Sequence, residues 1–152
     1  MPKLDLTFTA GALTDDAKSD LARELAAAML RWEGAPDTEF FRSITWTHVH
    51  ELSADAAYTA DGQAELSQFV VDATVPAGAL SDRRKTGLVE EFSKLVRDAA
   101  GLTEADGVRV WVLIHEVPEG NWGAAGQIVR FEQLRAAAKA EREKSEEAGA
   151  PA

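Results

Sequence analysis

The three histidines of this 152-residue chain, the residue type most used for proton transfer and hydrogen bonding to substrates, are His48, His50 and His115. They sit in two matching blocks, Trp46-Thr47-His48-Val49-His50-Glu51-Leu52 and Trp111-Val112-Leu113-Ile114-His115-Glu116-Val117. Alternation along a strand puts the histidines on the face of Trp46 and Trp111, and Glu51 and Glu116 on the other. His50 and His115 correspond and read as structural contacts, and the two glutamates as strand-end structural groups. His48 has Leu113 in its corresponding place, so it is the one suited to donate a hydrogen bond to a substrate carbonyl or carboxylate. No aspartate is expected near the three imidazoles, and no metal is assigned to them. Two arginines are candidates for binding an anion: Arg109, two residues before Trp111, and Arg42, if the strand through Trp46 begins that early. Their competing role is that of strand-end arginines reaching water.

Other chemistry is excluded by composition. The chain has no cysteine, which removes disulfides, thiolate metal sites and thiol nucleophiles. The glycine-rich run Glu119 to Gly126 lacks phosphate-loop spacing and the Lys-Ser or Lys-Thr that would follow it, so no cofactor is expected. A net charge of −10 argues against nucleic acid and anionic membranes as partners. Neither a signal peptide nor a long apolar run is legible, and a cytoplasmic location is expected.

The elements that must position these residues occur twice. Ala10-Gly11-Ala12-Leu13-Thr14-Asp15 recurs as Ala77-Gly78-Ala79-Leu80-Ser81-Asp82 at an offset of 67, and Lys18 and Leu21 recur as Lys85 and Leu88. The histidine blocks recur at an offset of 65, in the same order, which marks a tandem duplication. Each half reads as strand, helix, strand. Leu4, Leu6 and Phe8 alternate with polar residues, and Leu21, Leu25, Ala28 and Met29 follow at helical spacing until Gly34-Ala35-Pro36. The second strand spans Ser43 to Leu52. The later half gives a strand from Gln68 to Val75, a helix from Ser81 to about Ala100 with Leu88, Phe92, Leu95 and Ala99 inward, and a strand from Val108 to Val117.

The fold class is therefore α/β, with two β-α-β repeats, about 2–65 and 66–132, in one domain to about residue 135. They make one four-stranded sheet with both helices on one face. The other face exposes Trp46, Trp111 and Leu113, which predicts an oligomer. Residues 136–152 read as a charged, partly helical or disordered tail, solvated because they carry no apolar stripe.

With Pro2 behind the initiator Met, the duplicated unit, the Gly-Ala-Leu-Thr/Ser-Asp start of each helix and the run Trp111 to Pro118 leading to Asn121-Trp122-Gly123, the chain resembles the tautomerase superfamily. The fused, double-length branch, with cis-3-chloroacrylic acid dehalogenase and malonate semialdehyde decarboxylase, fits best. The resemblance implies a homotrimer and a catalytic Pro2, whose nitrogen becomes a secondary amine once Met1 is removed. A partly apolar site near cations lowers such an amine towards neutrality, where it serves as general base and acid. The activity implied is an isomerase that interconverts enol and keto forms of a small 2-oxo acid, a carboxylate substrate. The alternatives are a hydrolytic dehalogenase or decarboxylase of a small three-carbon acid, and a catalytically silent scaffold or binding protein.

Departures from the family pattern qualify that implication. The family's substrate-binding arginines are replaced by Ala12, Leu13, Ala79 and Leu80 and by Trp46 and Trp111. Arg83 and Arg84 follow but are expected to be solvated. The water-activating glutamate of the dehalogenases is replaced by Asn121 or Ala124, and their helix histidine by Met29, which demotes hydration. The resemblance places Asn121 and Trp122 beside the pocket, with Trp122 as an apolar wall.

Overall fold

The computed structural model describes residues 1–149. Strand β1 (Lys3–Thr9) leads to helix α1 (Asp15–Glu33), a short helix α2 (Glu39–Ser43) and strand β2 (Trp46–Leu52). A small hairpin, β3 (Tyr58–Thr59) and β4 (Gly62–Gln63), precedes the second half. There β5 (Phe69–Pro76), α3 (Asp82–Ala100), a 3-10 turn (Glu104–Arg109) and β6 (Val110–Val117) repeat the first half. A second hairpin, β7 (Gly123–Ala124) and β8 (Gln127–Ile128), leads to α4 (Phe131–Gly149).

The main sheet has the order β2-β1-β5-β6. Within each half the strands are parallel, joined by the crossover helix, and the halves meet at the antiparallel pair β1–β5. Alternation explains why one face is buried. Leu4, Leu6 and Phe8 of β1 and Phe69, Val71, Ala73 and Val75 of β5 share a core with Leu21, Leu25 and Met29 of α1 and Leu88, Phe92 and Val96 of α3. Each such side chain contributes about 1.5–3 kcal/mol on burial. Phe8 and Phe69 are direct cross-strand partners and stack at 6.2 Å at the end of the β1–β5 pair away from the amino terminus.

The repeated helix starts are repeated caps. Thr14 accepts from Ala17 N–H at 3.1 Å and Ser81 from Arg84 N–H at 3.4 Å. Both helices stop at a glycine in the left-handed region, Gly34 (φ 70°) and Gly101 (φ 64°), which turns the next backbone N–H groups back onto last-turn carbonyls. Ala35 N–H donates to the Leu30 carbonyl at 3.0 Å and Leu102 N–H to the Arg97 carbonyl at 2.9 Å.

The duplicated lysines and glutamates pair within each half. Lys18 Nζ lies 2.6 Å from Glu51, and Lys85 Nζ 2.9 Å from Glu116, whose carboxylate also accepts from Gly78 N–H at 3.4 Å. The Lys85 hydrogen bond, with the Gly78 N–H second, holds the Glu116 carboxyl below its ordinary value. Its contribution is present above the ordinary value and is lost as pH falls through the lowered one. Glu116→Gln should therefore cost under about 1 kcal/mol at pH 7. In urea unfolding, wild type and variant should converge as pH falls below the lowered value of the Glu116 carboxyl.

Two strand boundaries differ from expectation, and each moves a candidate residue. The chain before β2 is helical, because Thr38 caps α2 by accepting from Phe41 N–H at 3.4 Å. Arg42 is thus on a helix, paired with Asp37 at 2.8 Å, and not on the strand face of Trp46. Before β6, the Asp106 carboxylate accepts from the Thr103 backbone N–H at 3.0 Å and from its hydroxyl at 2.9 Å, starting the turn that ends at Arg109. Arg109 donates from Nε to the Ser67 carbonyl at 2.9 Å and pairs with Asp106 at 3.2 Å. Local capping outcompetes the extended pattern at both positions.

The sheet face away from the helices exposes Trp46, Trp111 and Leu113, at 57%, 60% and 41% of their surface. The histidines stand on this face too. The expectation that no aspartate accompanies them is overturned. Asp5 lies in register with His48, and His50 Nε2 is 2.8 Å from its carboxylate; His115 Nε2 is 2.6 Å from Asp72. The cause is strand order, which sets the polar side of β1 beside β2 and that of β5 beside β6.

Candidate active site

The amino terminus ends in a cavity. Because Lys3 opens β1 opposite Thr74 of β5, Met1 and Pro2 reach the end of the sheet where β5 finishes at Pro76. Pro2 is buried, and its carbonyl accepts from Trp46 N–H at 3.2 Å. Beside this end lie the last turn of α1, Phe41 of α2, and the Gly78-Ala79 turn before α3. Helix α4 closes the other side. The cavity so formed has a volume of about 760 Å³, inside the usual range for a small-molecule site.

A buried carboxylate faces the chain terminus. Glu33 Oε2 is 3.9 Å from the Met1 amine, and its side chain is 9% exposed. Burial lowers the amine below its ordinary value, against the attraction of Glu33. Burial likewise raises the Glu33 carboxyl, against the attraction of the amine. Both groups are thereby moved towards the neutral range in which proton transfer is efficient.

Cations line the remainder. Arg84, on the first turn of α3, donates from Nη1 to the Glu33 carbonyl at 3.2 Å. Arg142 of α4 donates to the Gly34 carbonyl. Two guanidinium groups thus cap the C-terminal end of α1, where its dipole favours positive charge, and keep further N–H groups for another acceptor. Arg135 and Lys139 line the same cavity. Arg135 forms no ion pair among the described residues. A chain of net charge −10 so gathers four of its 16 basic residues around its own amino terminus.

Sequence reasoning missed these groups for identifiable reasons. Arg84 was expected to be solvated; it is half-buried because it reaches back over the end of α1, whereas Arg83 is exposed. The tail was expected to lack a packing stripe, yet Phe131, Leu134, Arg135, Ala138 and Arg142 recur at helical spacing and face the cavity. Small and basic residues make that stripe, so hydrophobicity alone does not register it. Residues 150–152 lie outside the described residues.

None of the six residues named from sequence lines this cavity: Pro2 stands directly behind Met1, which does, and the other five lie further off. Arg109 is at the opposite end of the β5–β6 pair, since Val110 is in register with Phe69 and Val117 with Pro76. Arg42 lies at the cavity's end of the sheet but turns to Asp37. His48 is on the exposed sheet face, stacked on Trp46 at 6.2 Å. Asn121 and Trp122 follow β6 at the cavity's end; the Asn121 N–H donates to the Pro118 carbonyl, and the Trp122 carbonyl accepts from Val129 N–H.

Comparison with known proteins agrees with this architecture. Residues 70–132 match the family model described as tautomerase enzyme. The 2-hydroxymuconate tautomerase of Comamonas testosteroni is 41% identical over 46 residues, 30% of this chain and 68% of that protein. Among solved structures, a member of the cis-3-chloroacrylic acid dehalogenase family superposes with a TM-score of 0.72 at 20% identity, covering 93% of this chain and 96% of that one. A native fused 4-OT gives 0.70 at 23% identity, over 83% and 94%. A fused 4-OT described as a symmetric trimer gives 0.70 at 21%, over 87% and 98%. The last three show the shared fold. With the second repeat matching the family model and the relative from Comamonas 41% identical over two thirds of its length, this chain belongs to the tautomerase family.

Proposed function

We propose that the chain is a keto-enol tautomerase of small 2-oxo acids, working as a trimer, with the Pro2 nitrogen as proton carrier after Met1 is removed. One observation carries this reading: β1 delivers the amino terminus into a cavity rich in cations. Removal of Met1 would leave a secondary amine at that wall. The neutral amine takes a proton from the enol hydroxyl or an α carbon and returns it at the other position. Negative charge develops on the substrate oxygen, beside a carboxylate that is already anionic. Arg84, Arg135 and Arg142 supply the opposing charge in place of the family's missing arginines.

The decisive experiment combines intact mass with kinetics. Protein lacking Met1 should ketonise phenylenolpyruvate or 2-hydroxymuconate, the latter being the substrate in the name of the Comamonas relative. Absence of turnover in fully processed protein overturns the reading. Arg84→Ala should raise KM about 10- to 100-fold, as expected for a lost charge-assisted hydrogen bond. An unchanged KM would remove Arg84 from the binding set.

A hydrolytic reading gains support from Glu33, a buried carboxyl beside the amine with its proton affinity raised. Such a group can activate water, the role for which the sequence offered only Asn121 and Ala124. Chloride release from a 3-chloroacrylate, lost in Glu33→Gln, would establish it.

A further inference from the structure

We propose that Asp5, His48 and His50 bind a Zn2+ ion on the sheet face away from the cavity. One ligand atom from each residue lies within 4.8 Å of the others. His50 Nε2 is 2.8 Å and His48 Nδ1 3.8 Å from the same oxygen of Asp5. Tetrahedral bonds of about 2.0–2.1 Å set donor atoms roughly 3.3 Å apart, so small rotations of two half-exposed imidazole rings close the site. Two imidazoles and a carboxylate are the donor types that suit zinc, and they leave a fourth position for water or for a group from another copy.

The ligands stand on strands, which fixes their spacing. Asp5 is in register with His48, and Thr7 with His50, on the parallel pair β1–β2. His48 is further held by stacking on Trp46. There is also an electrostatic reason for a cation here. Asp5 and Asp72 are direct partners across β1–β5, an arrangement of like charges that costs stability. Lys3, whose Nζ is 2.6 Å from the other carboxylate oxygen of Asp5, offsets part of that charge and competes electrostatically with a metal for the carboxylate.

The duplication supplies an internal control. The second half repeats the His-Asp pair in His115 and Asp72, but Leu113 stands where the first half has His48. It offers two donors where the first offers three, so one ion per chain is expected. Asp5 lies three residues along β1 from Pro2 with its side chain on the opposite sheet face. The ion therefore acts on the stability or assembly of this face and takes no part in the chemistry of the cavity.

The test uses the full chain, stripped with a chelator and titrated with Zn2+ in competition with a chromophoric chelator, and with Co2+ as a spectroscopic probe. Wild type should bind one equivalent per chain, with the visible bands of tetrahedral Co2+ and a raised melting temperature. His48→Leu, which copies the second half, should weaken binding by about 100-fold or more. His115→Leu should leave it within about twofold. Leu113→His should raise the stoichiometry to two, a gain that misfolding cannot mimic. Lys3→Ala should tighten binding by removing the competing charge. The proposal is overturned if wild type shows no saturable binding below about 100 µM. Equal losses in His48→Leu and His115→Leu, or an unchanged stoichiometry in Leu113→His, overturn it as well.

Discussion

Replacing Pro2 with Ala should lower kcat/KM for enol ketonisation by about a hundredfold to ten-thousandfold, the range for loss of a positioned general base. Met1 is still removed before Ala, so the variant keeps a terminal amine but loses the ring that fixes the direction of the nitrogen lone pair. Circular dichroism and oligomeric state should stay those of wild type, because Pro2 contributes only a carbonyl to the sheet, through Trp46 N–H. The pH profile sharpens the test. Burial lowers the Met1 amine below its ordinary value. A Pro2 amine set free at the same buried end should be lowered by the same cause, which puts the acidic limb of kcat/KM below the range of a free secondary amine. Below its pKa the amine is protonated and accepts nothing; above it the base is competent. Glu33 raises the Met1 amine by its negative charge, and the same attraction on a Pro2 amine means that Glu33→Gln should move the limb to lower pH. Full turnover in Pro2→Ala would exclude the amine as the base, whatever the limb does.

Gly87→Ala should destabilise the fold by about 2 kcal/mol, against the usual gain of about 1 kcal/mol for this change within a helix. The reason lies in the contact between α1 and α3. A Cβ on Gly87 would stand 2.1 Å from Cη2 and 2.7 Å from Cζ2 of Trp32. The ring cannot move aside freely, because its Nε1 donates to Glu91 at 2.8 Å, and Glu91 also pairs with Arg31 at 2.5 Å. Glycine at this point is a demand of the helix-helix approach. For a chain of this size the melting temperature should fall by about 4–8 °C, measured at constant protein concentration. Trp32→Leu in the same chain should recover part of the loss, since it vacates the space the methyl needs. A melting temperature raised by Gly87→Ala would show that the helices do not meet at this position.

The repeat, the alternation in β1 and β5 and the helical spacing in α1 and α3 were enough to derive two β-α-β units, one sheet and one buried face. These patterns are local, and each is enforced by burial of residues two, three or four positions apart. The matched lysines and glutamates likewise became one ion pair per half, because a duplicated sequence repeats its contacts as well as its elements.

The cavity was not legible in this way. Arg42 and Arg109 were placed by extrapolating strands through stretches where Thr38 and Asp106 start tight turns. Asn121 and Trp122 lie at the cavity's end of the sheet but outside its wall. Arg84, Arg135 and Arg142 meet only because α3 begins, α1 ends and α4 docks at one place, and no local periodicity encodes that meeting. The same holds on the other face, where Asp5 joins His48 and His50 through the register of two strands separated by α1 and α2. The chain's own sequence determined which elements form and which side of each is apolar, since those follow from neighbouring residues. Which charged groups gather at the amino terminus and which at the histidines was decided by tertiary structure, through strand register and helix docking between distant segments.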